Sequence, residues 1–484
     1  MPYYVFAIGG TGSRCLESLI YLCAMGLGPK ELHPILVDPD SGNGNLNRTK
    51  ELIIRYKEIR SKIKNPDKGS LFYTEILFDT QQTGPDVAIH IPNYFNPNNE
   101  LEPGMNTLSH FIEYNTLLQQ NDGKYLADLL FSKNELDMDM AQGYRGVPSI
   151  GSILMTNIQK HKIWDVLVSS LKADPDSKVF IFASVFGGTG ASGYPVISRL
   201  IKNGAPNAKV GGTLILPYFR LPDPKNLIQQ RTNLQNEKVL PDSNSFMVNS
   251  KAACEFYKNR FSGIDSNYIL GDDFEACAEY KDYQIGSKDQ KNDAHMIELF
   301  SAYAALDFWS KTGDNYKQFY HIQVDNPQDN ARDTFKIVSS DLPHPDKSQS
   351  FERFALLSLY ILELANLAEN QKSSLINKIA WLRKNGMSGK YVLDNKSELN
   401  EMRQFFESFK VWIKQNHSNA APLAILDENL NLDSLIQDNP ERYGSYPINK
   451  LDKKLNRKLT SVNSLTDTLI KTASSTCITL KRRG

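Results

Sequence analysis

Residues 179–197 read Val179-Phe180-Ile181-Phe182-Ala183-Ser184-Val185-Phe186-Gly187-Gly188-Thr189-Gly190-Ala191-Ser192-Gly193-Tyr194-Pro195-Val196-Ile197. A short run of β-branched and aromatic residues stops at a glycine-rich turn. A second apolar run then enters Ser198-Arg199-Leu200-Ile201-Lys202, which has helical spacing. The pattern is strand, loop, helix. Paired glycines, a hydroxyl and a third glycine let backbone N–H groups turn inward, and a helix start behind them adds unpaired donors and the positive end of its dipole. Such a turn holds a phosphate with few charged side chains. The same pattern also serves as a tight strand-to-helix turn that binds nothing.

Two further stretches repeat the theme. Tyr3-Tyr4-Val5-Phe6-Ala7-Ile8 reads as a strand. It is followed by Gly9-Gly10-Thr11-Gly12-Ser13-Arg14 and a helix from Cys15 to Met25, with Leu16, Leu19, Ile20 and Cys23 on one face. His33-Pro34-Ile35-Leu36-Val37 is then a buried strand ending in Asp38-Pro39-Asp40. This is a βαβ unit that starts a parallel sheet, and taken alone it suits a dinucleotide enzyme with Asp38 on the ribose. The fingerprint wants another glycine near the helix start, where the chain has Arg14 and Cys15. Gly143-Tyr144-Arg145-Gly146-Val147-Pro148-Ser149-Ile150-Gly151 is a third glycine-bearing loop, ahead of a helix over 152–160. In an open parallel sheet such loops gather at the edge where ligands bind. Arg145 is there a candidate phosphate contact or a surface arginine.

At 484 residues the chain exceeds one ordinary core, so two or three domains are expected. Formal net charge is zero, which removes the bulk electrostatic argument for nucleic acid or an anionic membrane. Cys15, Cys23, Cys254, Cys277 and Cys477 are scattered without metal-ligand spacing and read as buried thiols of a reducing compartment. The first residues enter a strand rather than a leader. The longest apolar stretch, Phe354 to Leu362, is far short of the ~20 residues of a membrane span. The expectation is a soluble, cytoplasmic protein.

Between the glycine loops, residues 41–142 read as an insertion. It opens with a basic helix over 46–64, best read as a solvated face, followed by strand-like pieces at 71–77 and 87–91. After the central loop come a strand at 209–216 leading to Pro217-Tyr218-Phe219-Arg220, a strand at 266–270 with the acidic tip Asp272-Asp273, and a periodic helix over 293–309. His295 and Glu298 share a face of that helix but lack partners for a metal, so a capping histidine is the plainer reading and no metal site is assigned. Strands at 320–324 and 334–338 precede a linker at 339–345. Helices at 351–371, 374–384 and 399–415 and a basic Ser/Thr-rich tail from 449, read as solvated, complete the chain.

The three loops in this order resemble the tubulin/FtsZ family over roughly residues 3–310, minus the insertion. Gly187-Gly188-Thr189-Gly190 with Pro195-Val196-Ile197 is similar to the family's signature loop, Phe186 replacing its first glycine. Gly9, Gly10, Thr11, Gly12, Ser13 and Arg14 are similar to the first nucleotide loop, Asp38 and Asp40 to the second, and the loop at 143–151, with Arg145 and Gly146, to the one that senses the γ-phosphate. The resemblance implies an α/β fold with a parallel-sheet GTP-binding domain and a long core helix over 1–310; the connecting strands and linker over 311–345 and the helix-rich C-terminal region over 346–484 are read from the residues themselves, and that helical region departs from the β-rich activation domain of FtsZ. The resemblance implies GTP or GDP as ligand with Mg²⁺, and Asn292 and His295 reading the guanine at the start of the core helix.

It also implies head-to-tail assembly of the chain with itself into filaments, nucleotide at the subunit interface. The family's acidic loop after the core helix is not reproduced in Lys311-Thr312-Gly313-Asp314-Asn315, where Asp314 is the nearest catalytic candidate. Hydrolysis is accordingly expected to be weak or partner-dependent. The rival readings are a nucleotide-bound scaffold that does not polymerise and engages a protein partner through the C-terminal helices, and an NAD-dependent enzyme built on the first βαβ unit.

Overall fold

The computed structural model describes residues 3–77, 94–97, 107–117, 121–140, 143–174, 176–220, 243–272, 288, 290–313, 315–317, 319–321, 337, 341–342, 348–419, 423 and 464–474. Eight strands form one parallel sheet: β1 (Tyr3–Ile8), β2 (Glu31–Val37), β3 (Glu75–Ile76), β4 (Tyr94–Phe95), β5 (Lys178–Ser184), β6 (Lys209–Ile215), β7 (Ser266–Leu270) and β8 (Phe319–His321). Their order is β3-β2-β1-β5-β6-β7-β8, with β4 also on β2. The chain therefore builds outward from β1 in one direction, then returns to its other side with β5 and builds the opposite way. The crevice between the ends of β1 and β5 is the topological switch point, where open α/β sheets bind ligands.

The central strands are apolar on both faces because both faces are covered. Alternation sorts their side chains into two cores. Val5, Ala7, Phe180 and Phe182 face one side, where they join helices α1 (Gly9–Ala24), α2 (Gly44–Ser61) and a later core helix. Tyr4, Phe6, Ile8, Val179, Ile181 and Ala183 face the other. There they meet α4 (Pro148–Met155), α5 (Lys162–Ala173), α6 (Gly188–Gly204) and α7 (Ser243–Asn259). Between α2 and α4 in the chain lies α3 (Asn121–Leu130), whose Tyr125, Leu126, Leu129 and Leu130 are exposed. One-turn helices are left unnumbered.

The core helix is α8 (Met296–Ser310), which lies along α1 and under β6. It starts three residues later than the apolar pattern suggests because His295 is its N-cap. The C-terminal helices α9 (Ser348–Glu369), α10 (Lys396–His417) and α11 (Leu465–Ser474) continue the α1/α2 core without a break. Tyr21 of α1 meets the rings of Phe405, Phe409 and Trp412 at 5.2–5.8 Å between centroids.

Several expectations change. The basic stretch from residue 46 is not a free face of an insertion: α2 is wedged between α1 and α10 with Leu52, Ile53, Tyr56 and Ile59 buried. Likewise, the two-residue strands β3 and β4 from the segment 41–142 pair with β2, so the segment contributes to the edge of the sheet. Part of the tail is buried as well. Leu465, Leu469 and Ile470 of α11 are in the core, Asp467 accepts from the Lys64 N–H at 3.2 Å, and Thr466 donates to Glu398 at 2.9 Å. Apolar positions four apart hold it there despite the basic composition around it. The strand expected at 87–91, most of 334–338 and the tail's Lys453 to Lys458 and Lys481 to Arg483 lie outside the described residues. Among the described residues, no helix is long and apolar enough to cross a membrane.

Candidate functional site

The loops that follow β1, β2, β5 and β6 meet the loop at 143–147 around one cleft at the switch point. It holds about 890 Å³ of empty space, a figure that includes its open mouth. Three helices start at or beside this cleft: α1 behind Ile8 and α6 behind Gly187 put first-turn residues on its lining, and α4 starts behind Val147, two positions past the lining residue Gly146. None of the three has a side-chain cap. Their first-turn N–H groups lack intrahelical partners, and their dipoles present positive ends together.

Close approach explains the glycines. A Cβ on Gly188 would lie 2.8 Å from the Tyr144 carbonyl carbon and 2.9 Å from the Gly146 nitrogen, so the loops after β5 and before α4 touch backbone to backbone. The latter loop is unusual in itself. Gly143, Arg145 and Gly146 have φ of +90°, +45° and +83°. A non-glycine residue in this region is costly and is held by its surroundings. Arg145 is buried and lines the cleft.

The charged groups are few. Asp38 and Asp40 line the β2 side, both buried. Asp38 accepts from the Asp40 N–H at 3.0 Å through one oxygen. Its other oxygen, Oδ2, is buried with no hydrogen-bond partner among the described residues. Burial, with some repulsion from Asp40, pushes the Asp38 carboxyl up to about 7. On the floor, the Arg14 guanidinium pairs with Glu298 and bonds the Tyr218 hydroxyl, which itself donates to Glu298 at 2.8 Å. Arg14 thus reaches the cleft wall already neutralised by a buried carboxylate.

Glu298 also accepts from the His295 N–H at 3.1 Å, while His295 Nδ1 accepts from the Ile297 N–H at 3.2 Å, a reciprocal cap. With Nδ1 accepting, the ring proton sits on Nε2, 3.6 Å from the Asp272 carboxylate. Burial holds His295 well below its ordinary value, at about 4.

Of the residues singled out from sequence, Gly9, Gly10, Thr11, Arg14, Asp38, Asp40, Arg145, Gly146, Gly187, Gly188, Thr189, Gly190 and Asn292 come together on this cleft. Three do not line it. Gly12 is a packing glycine, since a Cβ there would sit 2.7 Å from the Phe182 carbonyl oxygen. The Ser13 hydroxyl is turned back to the Gly9 carbonyl at 3.1 Å. His295 is occupied as the α8 cap. Asp314 lies outside the described residues.

Sequence reading missed Asn43, Asn45, Gln290, Phe219 and Phe246, which also line the cleft. Asn45 clasps Asn292 twice: its Nδ2 donates to Asn292 Oδ1 and its Oδ1 accepts from Asn292 N–H, each at 2.9 Å. Asn43 donates to Gln290 at 3.0 Å. The Ser41-Gly42-Asn43-Gly44-Asn45 turn was a visible signal, since asparagine directly before a helix is a favoured cap.

Comparison with protein-family models and with curated proteins finds no match to this chain.

Proposed function

We propose that the chain is a guanine-nucleotide-binding protein of the tubulin/FtsZ type that assembles head-to-tail with the nucleotide at the subunit interface. The observation that carries this is the convergence of three uncapped helix N-termini and their glycine loops on one cleft at the switch point of a parallel sheet. Backbone N–H groups of residues 187–190 and 10–12 would cradle the phosphates, with the Thr11 and Thr189 hydroxyls adding donors. Arg145 would place a cation against the terminal phosphate. No lysine lines the cleft among the described residues, so backbone dipoles carry most of the charge stabilisation.

Mg²⁺ fits the β2 side. Asp38 and Asp40 offer hard oxygen donors, and the buried Asp38 Oδ2 awaits a partner of this kind. Nucleotide-linked Mg²⁺ takes one or two carboxylates together with phosphate oxygens. Bound there, it would neutralise charge shared between the β- and γ-phosphates. Asn292, held by Asn45, offers a carboxamide for the guanine edge.

One observation favours the second reading, a nucleotide-bound scaffold that does not polymerise. The segment after α8 is tied to its own sheet: β8 pairs with β7, Tyr320 stacks on Tyr268 at 4.7 Å, and Lys178 bonds the carbonyls of Trp309 and Lys311. Calorimetric titration with GTP, followed by high-speed pelleting with GTP, with GDP and without nucleotide, separates the readings. GTP-dependent pelleting supports assembly. Tight binding without pelleting supports the scaffold. Absence of GTP binding refutes both.

A further inference from the structure

The wall of the cleft on the β6 side is aromatic. Phe186, at the end of the β5 loop, packs against Phe246 at 4.9 Å and against Phe219 at 5.5 Å between centroids. Phe219 also meets Tyr218 at 5.1 Å, and the interplanar angles of Phe219 to these two neighbours are 77° and 85°. All three phenylalanines line the cleft; Phe186 and Phe246 are buried and Phe219 is half-buried. Edge-to-face contacts on a ring fix its plane. The cleft is also lined by the carboxamides of Asn43, Asn45, Gln290 and Asn292.

A phosphate chain has no use for a phenyl face, and a purely polar ligand would leave such a wall in water at a cost. A planar heterocycle does use one, because every base has a π-face that stacks on aromatic side chains. We propose that Phe219, braced edge-to-face by Phe186 and Tyr218, is the platform on which the ring of the bound nucleotide stacks. Affinity for the ring face is then set by the β6 side of the cleft rather than by the start of α8. This inference rests on the nucleotide reading and adds to it the group that holds the base.

The test is binding to the full chain of two probes, GTP and inorganic tripolyphosphate, for wild type, Phe219→Ala and Phe219→Trp. With stacking worth what it is at other base-binding sites, Phe219→Ala weakens GTP by about 5- to 140-fold. It leaves tripolyphosphate unchanged, and Phe219→Trp retains GTP. An unchanged thermal melt for Phe219→Ala shows that its fold is intact. Equal weakening of both probes, or unchanged GTP affinity in Phe219→Ala, overturns the platform while leaving the phosphate cradle standing. A wild-type chain that binds neither probe overturns the nucleotide reading itself, and the platform with it.

Discussion

Two groups of helix starts in this molecule are built differently. α2, α5 and α8 begin at Asn43, His161 and His295, and each side chain accepts from a first-turn N–H at 2.9–3.3 Å. α1, α4 and α6 begin at Ile8, Val147 and Gly187 with no such bond. A missing cap costs about 0.5–2 kcal/mol of stability. A missing cap alone means little, since α10 starts without one at Asn395, which does not line the cleft. What distinguishes the uncapped three is that they gather at one cleft with first-turn donors no side chain takes up, whereas α2, which also starts there, has its donors taken by Asn43. On the nucleotide reading proposed above, these unmatched donors are the ones that meet its phosphates.

The strongest way to break the contrast is Gly188→Val. Its Cβ would press the β5 loop off Tyr144 and Gly146. Losing two hydrogen bonds to a charged phosphate, at ~1.5–3 kcal/mol each, reduces GTP affinity by about 100-fold or more, read by calorimetry. Unchanged affinity would remove the cradle from residues 187–190. Gly12→Ala is its counterpart away from the cleft. It collides with the β5 backbone at Phe182 and lowers stability by ~1–3 kcal/mol in chemical denaturation. A stable Gly12→Ala variant would show that this contact relaxes freely.

On the capped side, His161→Ala removes the acceptor of the Ile163 N–H together with the ring that meets Phe95 at 5.5 Å. We expect a loss of ~1 kcal/mol with nucleotide affinity untouched. Any comparable loss of affinity would undo the distinction between the two groups. Gly187→Ser does the reverse by installing an acceptor at the α6 start. The melting temperature rises by the equivalent of a few tenths of a kcal/mol, and GTP binding weakens severalfold because the new side chain competes for the same donors.

The effects of pH oppose one another in sign. His295 is held down to about 4 in the folded chain, from an ordinary 6.5. The unfolded chain binds the extra proton between these values, so the cap's stabilisation is complete above pH 6.5 and is lost as pH falls toward 4. Asp38 is pushed up to about 7 from 3.8, so the folded chain holds the proton longer, and stability falls as pH rises from 3.8 toward 7. Denaturation midpoints for wild type, His295→Asn and Asp38→Asn separate the two. The asparagine at 295 keeps a neutral acceptor and flattens the acid limb, whereas the asparagine at 38 flattens the limb near neutrality.

How much of this was readable in the chain depended on locality. A strand, its glycine turn and the helix behind it are written within some twenty consecutive residues, so β1–α1, β5–α6 and the loop before α4 could be located directly. The role of each residue within a loop could not. Gly9, Gly10 and Gly12 look equivalent in sequence, yet only the first two line the cleft, because Gly12 happens to lie over Ala7 and Phe182. Arg14 looks like a phosphate contact until Glu298, 284 positions away, is found bonded to it. The carboxamide wall combines residues 43 and 45 with 290 and 292, and the aromatic wall combines 186, 219 and 246.

By itself, then, the sequence determined the parallel α/β sheet and the places where its chain turns on glycine, since hydrophobic period and glycine turns are local and act wherever the chain is. Only the tertiary structure decided which turns meet, which helix starts go uncapped together, and that part of a basic tail is core. These depend on strand order and on side chains hundreds of residues apart, and alternation or spacing along one chain carries no record of that distance.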